Sequence, residues 1–103
     1  MAEGGTVGTV AAAGSTAADA ALLTADANYV TASDGTKGVI LPDCEVGSII
    51  RVYNFVAQIL KVYPPSTHQL NNLTATSGSV SIAASKGGSF HKLTNNQWGV
   101  IYA

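Results

Sequence analysis

The side chains that could carry chemistry in this chain are few: one cysteine, two histidines and six carboxylates. A cysteine nucleophile needs a stabilised thiolate and an oriented imidazole, so Cys44 would have to meet His68 or His91 through the fold. Its neighbours in sequence are Asp43 and Glu45, and two acidic groups beside a thiol disfavour the anionic form. We therefore interpret Cys44 as a structural or bystander residue and predict no catalytic residue.

Metal and cofactor sites are not indicated either. Cys44, His68 and His91 lie far apart in sequence and form no pair at metal-ligand spacing. The six acids fall in predicted loops or in the N-terminal segment, whereas glycoside hydrolysis needs two of them on a rigid cleft. The Gly-Gly pairs lack the Lys-Ser/Thr that follows in a phosphate-binding loop. We predict no metal, no cofactor and no enzymatic activity.

The composition favours a protein that buries part of its surface against other subunits. The 103 residues fit one domain, and charged residues make up only 11% of them, against about 25% in an ordinary soluble domain. The formal net charge of −1 gives no electrostatic support to nucleic-acid binding. No apolar run approaches the roughly 20 residues that span a bilayer, so we expect no membrane partner.

The charges are unevenly distributed along the chain. Residues 1–36 contain four acids and no Lys or Arg, whereas residues 37–103 contain five bases and two acids. This asymmetry could let the N-terminal segment of one subunit lie on the body of its neighbour. Chance scatter among so few charges is the alternative.

The N-terminal segment, residues 1–27, is dominated by Gly, Ala, Thr, Ser and Val. Such a segment has little to bury and loses much backbone entropy on ordering, so we predict a flexible or extended arm. Docked on another surface it could add a strand, with contacts from Thr6, Val7, Thr9 and Val10. A short helix over 20–23 is the alternative, because Thr16 and Asp19 form a weak capping box.

From Asn28 onward the pattern is one of short strands and turns. About seven β-rich runs are separated by turn signals, and no convincing helix interrupts them. The runs are 29–32, 38–41, 48–53, 58–63, 80–83, 89–93 and 98–102. The five residues from Asn54 to Gln58 indicate an antiparallel hairpin between the third and fourth runs. We therefore predict an all-β fold in which residues 28–103 form a compact antiparallel β-sandwich or barrel.

Period-2 alternation divides the third and fourth strands into two faces. One face is aliphatic and is predicted to lie in the core: Ile50, Val52, Leu60 and Val62. The other is mixed, and it suggests a subunit interface made by Tyr53, Phe55, Ile59 and Tyr63, with ordinary surface as the alternative. Trp98 is predicted to lie in the core, although a tryptophan could also stack on a sugar or a base.

Three runs, 37–42, 46–54 and 60–65, carry a family resemblance. They give a strand ending in Leu-Pro, a Gly-led strand ending in Val-Tyr-Asn and a partner strand ending in Val-Tyr-Pro. With the loop 69–73, Phe90 and Trp98, this pattern resembles a module frequent in tailed-bacteriophage virion proteins. The resemblance covers about residues 29–102. It implies a capsid decoration (cement) protein, a head fibre or a tail-fibre module: a compact β-sandwich, often trimeric, whose terminal arm binds the capsid.

These expectations combine into a virion structural protein that binds the outer surface of a phage head and stabilises it. Its expected partners are itself, as a homotrimer, and the major capsid protein, and its expected location is the capsid exterior after synthesis in the host cytoplasm. The alternative is a tail- or head-fibre module that binds a receptor or carbohydrate, using exposed aromatics and the polar loop 68–72. An enzyme would require a site assembled between subunits.

Overall fold

A computed structural model describes residues 7–14, 16–32, 36–71, 73, 75 and 78–102. Within these ranges the chain forms β-strands and no helix. The strands are β1 (Val7–Ala11), β2 (Ala21–Leu22), β3 (Ala27–Ala32), β4 (Gly38–Ile40), β5 (Ile49–Asn54), β6 (Leu60–Tyr63), β7 (Gln69–Leu70), β8 (Val80–Ile82), β9 (Gly87–Lys92) and β10 (Gln97–Tyr102). The prediction of an all-β fold is confirmed; β3 to β10 are eight strands where about seven were expected, and β1 and β2 add two strands within residues 1–27.

Two sheets make up the structure and pack as a sandwich. One has six strands in the order β1-β3-β5-β9-β10-β7, and the other has four in the order β2-β4-β6-β8. Both sheets are mixed: β9 is antiparallel to β5 and β10, and β8 is antiparallel to β6, whereas the other neighbours run parallel. The expected purely antiparallel arrangement was therefore wrong.

The first six strands are arranged as three successive coils. The chain passes from the six-stranded to the four-stranded sheet and back, so that β1 and β2 form coil 1, β3 and β4 coil 2, and β5 and β6 coil 3. Each coil lies parallel on the one before it, as the registers Val7↔Ala27↔Arg51 and Ala21↔Val39↔Val62 show. Parallel strands need a long crossover, and here a strand of the opposite sheet provides it.

The predicted hairpin between β5 and β6 is wrong, because these strands lie in different sheets. The physical cause is Asn54, which is fully buried. Its Nδ2 donates to the carbonyl oxygens of Gln58, Ile82 and Ala83 at 2.7, 3.2 and 3.3 Å, and its Oδ1 accepts from Val56 N at 3.1 Å. These bonds hold the chain in a turn that leads from one sheet to the other.

A second buried asparagine fixes the turn between coils 1 and 2. Asn28 Nδ2 donates to the carbonyl oxygens of Ala25 and Arg51 at 2.8 and 3.3 Å, and Asn28 Oδ1 accepts from Ala25 N at 3.2 Å. The side chain thus supplies both a donor and an acceptor to buried backbone groups, which would be costly to leave unpaired. It also links coil 2 to β5 of coil 3.

The core lies between the sheets and is built from their inward-facing side chains. The predicted aliphatic face is confirmed, since Ile50, Val52, Leu60 and Val62 are all buried in one cluster. The placement of Trp98 in the core is also confirmed. The other members of the cluster are Ala12, Leu23, Val30, Val39, Leu41, Leu70, Val80, Ile82 and Phe90.

The described part of residues 1–27 lies in both sheets. β1 and β2 occupy an edge of each sheet, and Leu23 is fully buried. The alternative of a helix over 20–23 was wrong, because β2 occupies 21–22. The Thr16–Asp19 contact does form: Asp19 Oδ1 accepts from Thr16 N and Thr16 Oγ1 at 3.0 and 2.8 Å, in a turn rather than a helix. The division of the chain after residue 27 stays a prediction.

Candidate interaction surface

One side of the six-stranded sheet faces away from the core, and we call it the outer face. Its members come from alternate positions of five strands and from Phe55, which follows β5 and packs against Tyr29: Val7, Thr9 and Ala11 of β1, Ala27 and Tyr29 of β3, Ile49, Arg51 and Tyr53 of β5, Gly87, Ser89 and His91 of β9, and Gln97, Gly99 and Ile101 of β10. Among these residues only Arg51 is a Lys, Arg, Asp or Glu. Several of the apolar members are well exposed, including Val7 at 70% and Ile101 at 62%.

Aromatic side chains lie near the middle of the outer face. Tyr29 and Tyr53 are neighbours in register across β3 and β5. Phe55, which is 66% exposed, follows β5 and places its ring 5.5 Å from that of Tyr29. Tyr53 lies over Gly87 so closely that a Cβ at Gly87 would be 2.6 Å from Tyr53 Cδ1. The Tyr53 ring therefore packs directly on the backbone of β9.

Of the four predicted interface residues, Tyr53 and Phe55 lie together on the outer face. Ile59 is also exposed, but it immediately precedes β6 in the other sheet. Tyr63 is 5% exposed, so its predicted position on a shared surface was wrong. The cause is Gly38 on the neighbouring strand β4, because a glycine leaves room for the Tyr63 ring to cover its backbone.

The predicted contact residues of the N-terminal arm also differ in exposure. Val7 and Thr9 are exposed on β1, whereas Val10 is half-buried and packs against the core. Thr6 lies outside the described residues. Val7 and Thr9 are therefore the arm candidates that a partner could reach directly.

A buried lysine, which the sequence interpretation overlooked, links β9 to the loop over 42–47. Lys92 Nζ donates to Asp43 Oδ1 at 3.0 Å and to the carbonyl oxygen of Cys44. The Lys92 side chain is buried while that of Asp43 is exposed. The hydrogen bond from Lys92 and its positive charge together lower the pKa of the Asp43 carboxyl below its ordinary value. The alternation of β9 carries a signal for this contact, since Lys92 shares the inward face with Phe90.

His68 is paired with the buried tryptophan. Trp98 Nε1 donates to His68 Nδ1 at 3.0 Å, so the imidazole is neutral with its proton on Nε2. Burial lowers the pKa of His68 below 6.5; the charge of Lys92 acts in the same direction, and that of Asp43 opposes it. Because His68 is only 7% exposed, it offers no open imidazole to a sugar in the loop 68–72. Asn72 lies outside the described residues.

Among the described residues, the titratable groups do not assemble into a cluster of possible metal ligands. The Cys44 thiol is free and half-buried, and it packs against the hydrophobic core. In the described ranges, no three His, Cys, Asp or Glu side chains are grouped so that they could hold a metal ion. A pocket of about 260 Å³ has Ala17, Ala18, Ile40 and Ser66 in its lining, so it presents mainly apolar surface. No helix long and apolar enough to cross a membrane occurs in the part of the chain that the structure describes.

Comparisons of the chain with protein-family models, with curated proteins and with solved structures found no match. Among the described residues, the feature that most clearly differs from an ordinary protein surface is the outer face, with its exposed apolar side chains and single Lys, Arg, Asp or Glu.

Proposed function

We propose that this protein is a structural subunit of a virion, a decoration protein that binds the outside of a phage head and stabilises it. It associates with itself through the outer face, as a homotrimer, and with the major capsid protein. The observation that carries the proposal is the outer face, which exposes apolar side chains and contains one Lys, Arg, Asp or Glu, namely Arg51.

The apolar side chains exposed on this face favour association. Fully burying one large aliphatic or aromatic side chain contributes about 1.5–3 kcal/mol. Val7, Ile101 and Phe55 are each more than half exposed, and Tyr53 and Ile49 add to the same surface. Interface centres are typically depleted in charge and enriched in aromatic residues and arginine, which is the composition found here. A contact centred on Tyr53 and Phe55 would therefore have the character of a subunit interface.

Stabilisation of a capsid would follow from mass action. A ligand that binds only the assembled lattice shifts the equilibrium towards assembly by its binding free energy. Several copies joined in one oligomer multiply weak contacts through a high effective concentration. The decoration protein then needs no catalytic group.

The outer-face association can be tested with Phe55→Ser and Ile101→Thr. Both positions are exposed, so the fold should be retained while the apolar contact is lost. Leu73→Ser is the matched control, because Leu73 is an exposed leucine in the loop after β7. We expect the two outer-face variants to raise the dissociation constant of the oligomer at least about tenfold, or ~1.4 kcal/mol, in light scattering coupled to size exclusion. Unchanged masses for both variants would contradict the proposal.

The virion role itself requires a binding experiment with phage heads. We expect the purified protein to co-sediment with expanded heads and to raise the temperature at which those heads disrupt. Binding to isolated glycans without binding to heads would instead favour the fibre module. In that alternative, the sugar would stack on the exposed Tyr53 ring and on the Tyr29–Phe55 pair, because aromatic rings stack on sugar faces.

A further inference from the structure

Coil 1 forms an open end of the molecule. β1 is the last strand of the six-stranded sheet, and β2 is the last strand of the four-stranded sheet. Both belong to the same coil, so the two edges lie at the same end. On its far side β1 has no neighbouring strand among the described residues.

The hydrogen-bonding groups on this edge can be assigned by alternation. Ala12 N donates to Ala32 O in β3, whereas Ala13 exchanges hydrogen bonds with Gly38 of the other sheet. Successive residues of a strand direct their amides to opposite sides. The amides and carbonyls of Val7, Thr9 and Ala11 therefore point away from β3. The register shift near Ala11 does not disturb this pattern, because the extra residue is Thr31 on β3.

This edge lacks the features that usually prevent strand addition. Natural edge strands are commonly protected by lysine, proline, a bulge on the edge strand or very short length. β1 has five residues, Val-Gly-Thr-Val-Ala, with no charge and no proline. Apolar side chains are exposed on both edges of coil 1, at Val7 and at Leu22, which is 59% exposed.

We propose that β1 pairs with β1 of a second copy of this chain, antiparallel about a two-fold axis, so that two six-stranded sheets become one continuous sheet. With Thr9 opposite Thr9, Val7 lies opposite Ala11, and the outward amides and carbonyls exchange about six hydrogen bonds. The two threonine side chains meet at the axis, a pairing that stabilises neighbouring strands.

A second copy suits this edge because the edge is complementary to itself. A two-fold contact places each residue type against its own symmetry mate, which penalises any charge near the axis. β1 carries none, so its own side chains add no charge repulsion to the pairing. Gly8 would lie opposite Val10, so the smallest side chain faces a branched one. The pairing is independent of the outer-face contact and of any role in a virion.

Thr9→Pro tests the pairing directly. Proline removes the outward N–H of residue 9 but leaves the β1–β3 hydrogen bonds, which use the other side of the strand. Thr9→Ala is the matched control, because it keeps the N–H. Where outer-face trimers also form, the β1 edges join two trimers into a hexamer, so we expect the mass of the wild-type oligomer in light scattering to be an even multiple of 10.4 kDa. Thr9→Pro should halve that mass and Thr9→Ala should not.

Hydrogen exchange gives a second measurement that does not rely on one variant folding. The amides of Thr9 and Ala11 should exchange more slowly as protein concentration rises, and Thr9→Lys should abolish that dependence. An odd number of chains in the wild-type oligomer, or exchange at Thr9 that is independent of concentration, would overturn the proposal. A Thr9→Pro variant that keeps the wild-type oligomer mass but no longer binds phage heads would also overturn the proposal. The β1 edge would then pair with a strand of another protein. In Phe55→Ser, the Thr9 amide should still be protected from exchange at high protein concentration. The test of β1 pairing is therefore separate from the test of the outer-face contact.

Discussion

At the scale of single residues, close contacts and buried polar atoms determine what this chain tolerates. Gly38 is the clearest case of a steric limit. A Cβ at this position would lie 2.7 Å from Tyr63 Cε2 and 2.8 Å from the carbonyl oxygen of Lys61. The second of these atoms belongs to the paired strand β6, so it cannot move away without disturbing the ladder.

We expect Gly38→Ala to destabilise the protein by about 1–3 kcal/mol, the usual cost of overpacking. The measurement is the free energy of unfolding in urea. Gly99→Ala is the control, because its Cβ would meet only the exposed, flexible Leu93 side chain, at 3.1 Å. Equal losses in the two variants would show that the contact with Tyr63 and Lys61 is not the cause.

His68 connects a buried hydrogen bond to pH. Protonation would remove the acceptor for Trp98 Nε1 and place a charge in a buried site that also faces Lys92 and Asp43. Because the pKa of His68 is lower in the folded protein than its ordinary 6.5, the unfolded chain binds more protons just below that pH. This contribution to stability is complete above pH 6.5 and is lost as the pH falls towards the folded pKa.

The expected result is a urea midpoint that decreases when the pH is lowered from 7 through 6. His68→Gln should flatten this part of the profile, because the amide oxygen can still accept from Trp98 but does not titrate. The difference between the two profiles isolates His68 from the carboxylates. Identical slopes for the wild type and the variant would contradict the assignment.

At the scale of elements, the turns decide which strands become neighbours. Asn54 directs the chain from β5 into the opposite sheet through bonds to three carbonyl oxygens. Asn54→Asp would replace the donating amide by an oxygen facing those carbonyls. We expect a loss of about 3 kcal/mol or more, since a buried acceptor would meet acceptors. Asn96→Asp, at an exposed position, should cost much less when unfolding is followed by circular dichroism.

These turns also explain which parts of the fold were predictable. Alternation assigned Ile50, Val52, Leu60 and Val62 to the core, because a strand of period two shows its buried face locally. It could not show that β5 and β6 lie in different sheets, since a turn of five residues fits either arrangement. β2 and β7 have two residues each, too short for any periodic signal. Tyr63 was misplaced because Gly38, on whose backbone the Tyr63 ring packs, comes from a strand distant in sequence.

The candidate site was predictable to a similar extent. Tyr53 and Phe55 were identified because aromatic residues on a mixed strand face suggest contact with a partner. Ile101 and Val7 join them only through the order of strands in the sheet, which the sequence pattern did not contain. Lys92 could have been found, since an inward lysine beside Phe90 requires a polar partner.

At the scale of the whole molecule, two kinds of self-association differ in their response to salt. Contacts between an acidic N-terminal segment and a basic body would weaken as salt screens them. The outer face carries little charge, so its association should depend mainly on apolar burial. We expect the dissociation constant to change by less than about threefold between about 50 and about 500 mM NaCl. A steep loss of association in salt would indicate the charge asymmetry instead.

The three stacked coils have a consequence for how the protein could vary in length. Each coil contacts mainly the coil beside it, and the matched positions Val7, Ala27 and Arg51 give a repeat of about 20–24 residues. A further copy of this unit between β2 and β3 would lengthen both sheets together, while β7, β8, β9 and β10 would still close the far end. Duplication of one short segment could therefore change the height of the molecule without a new fold.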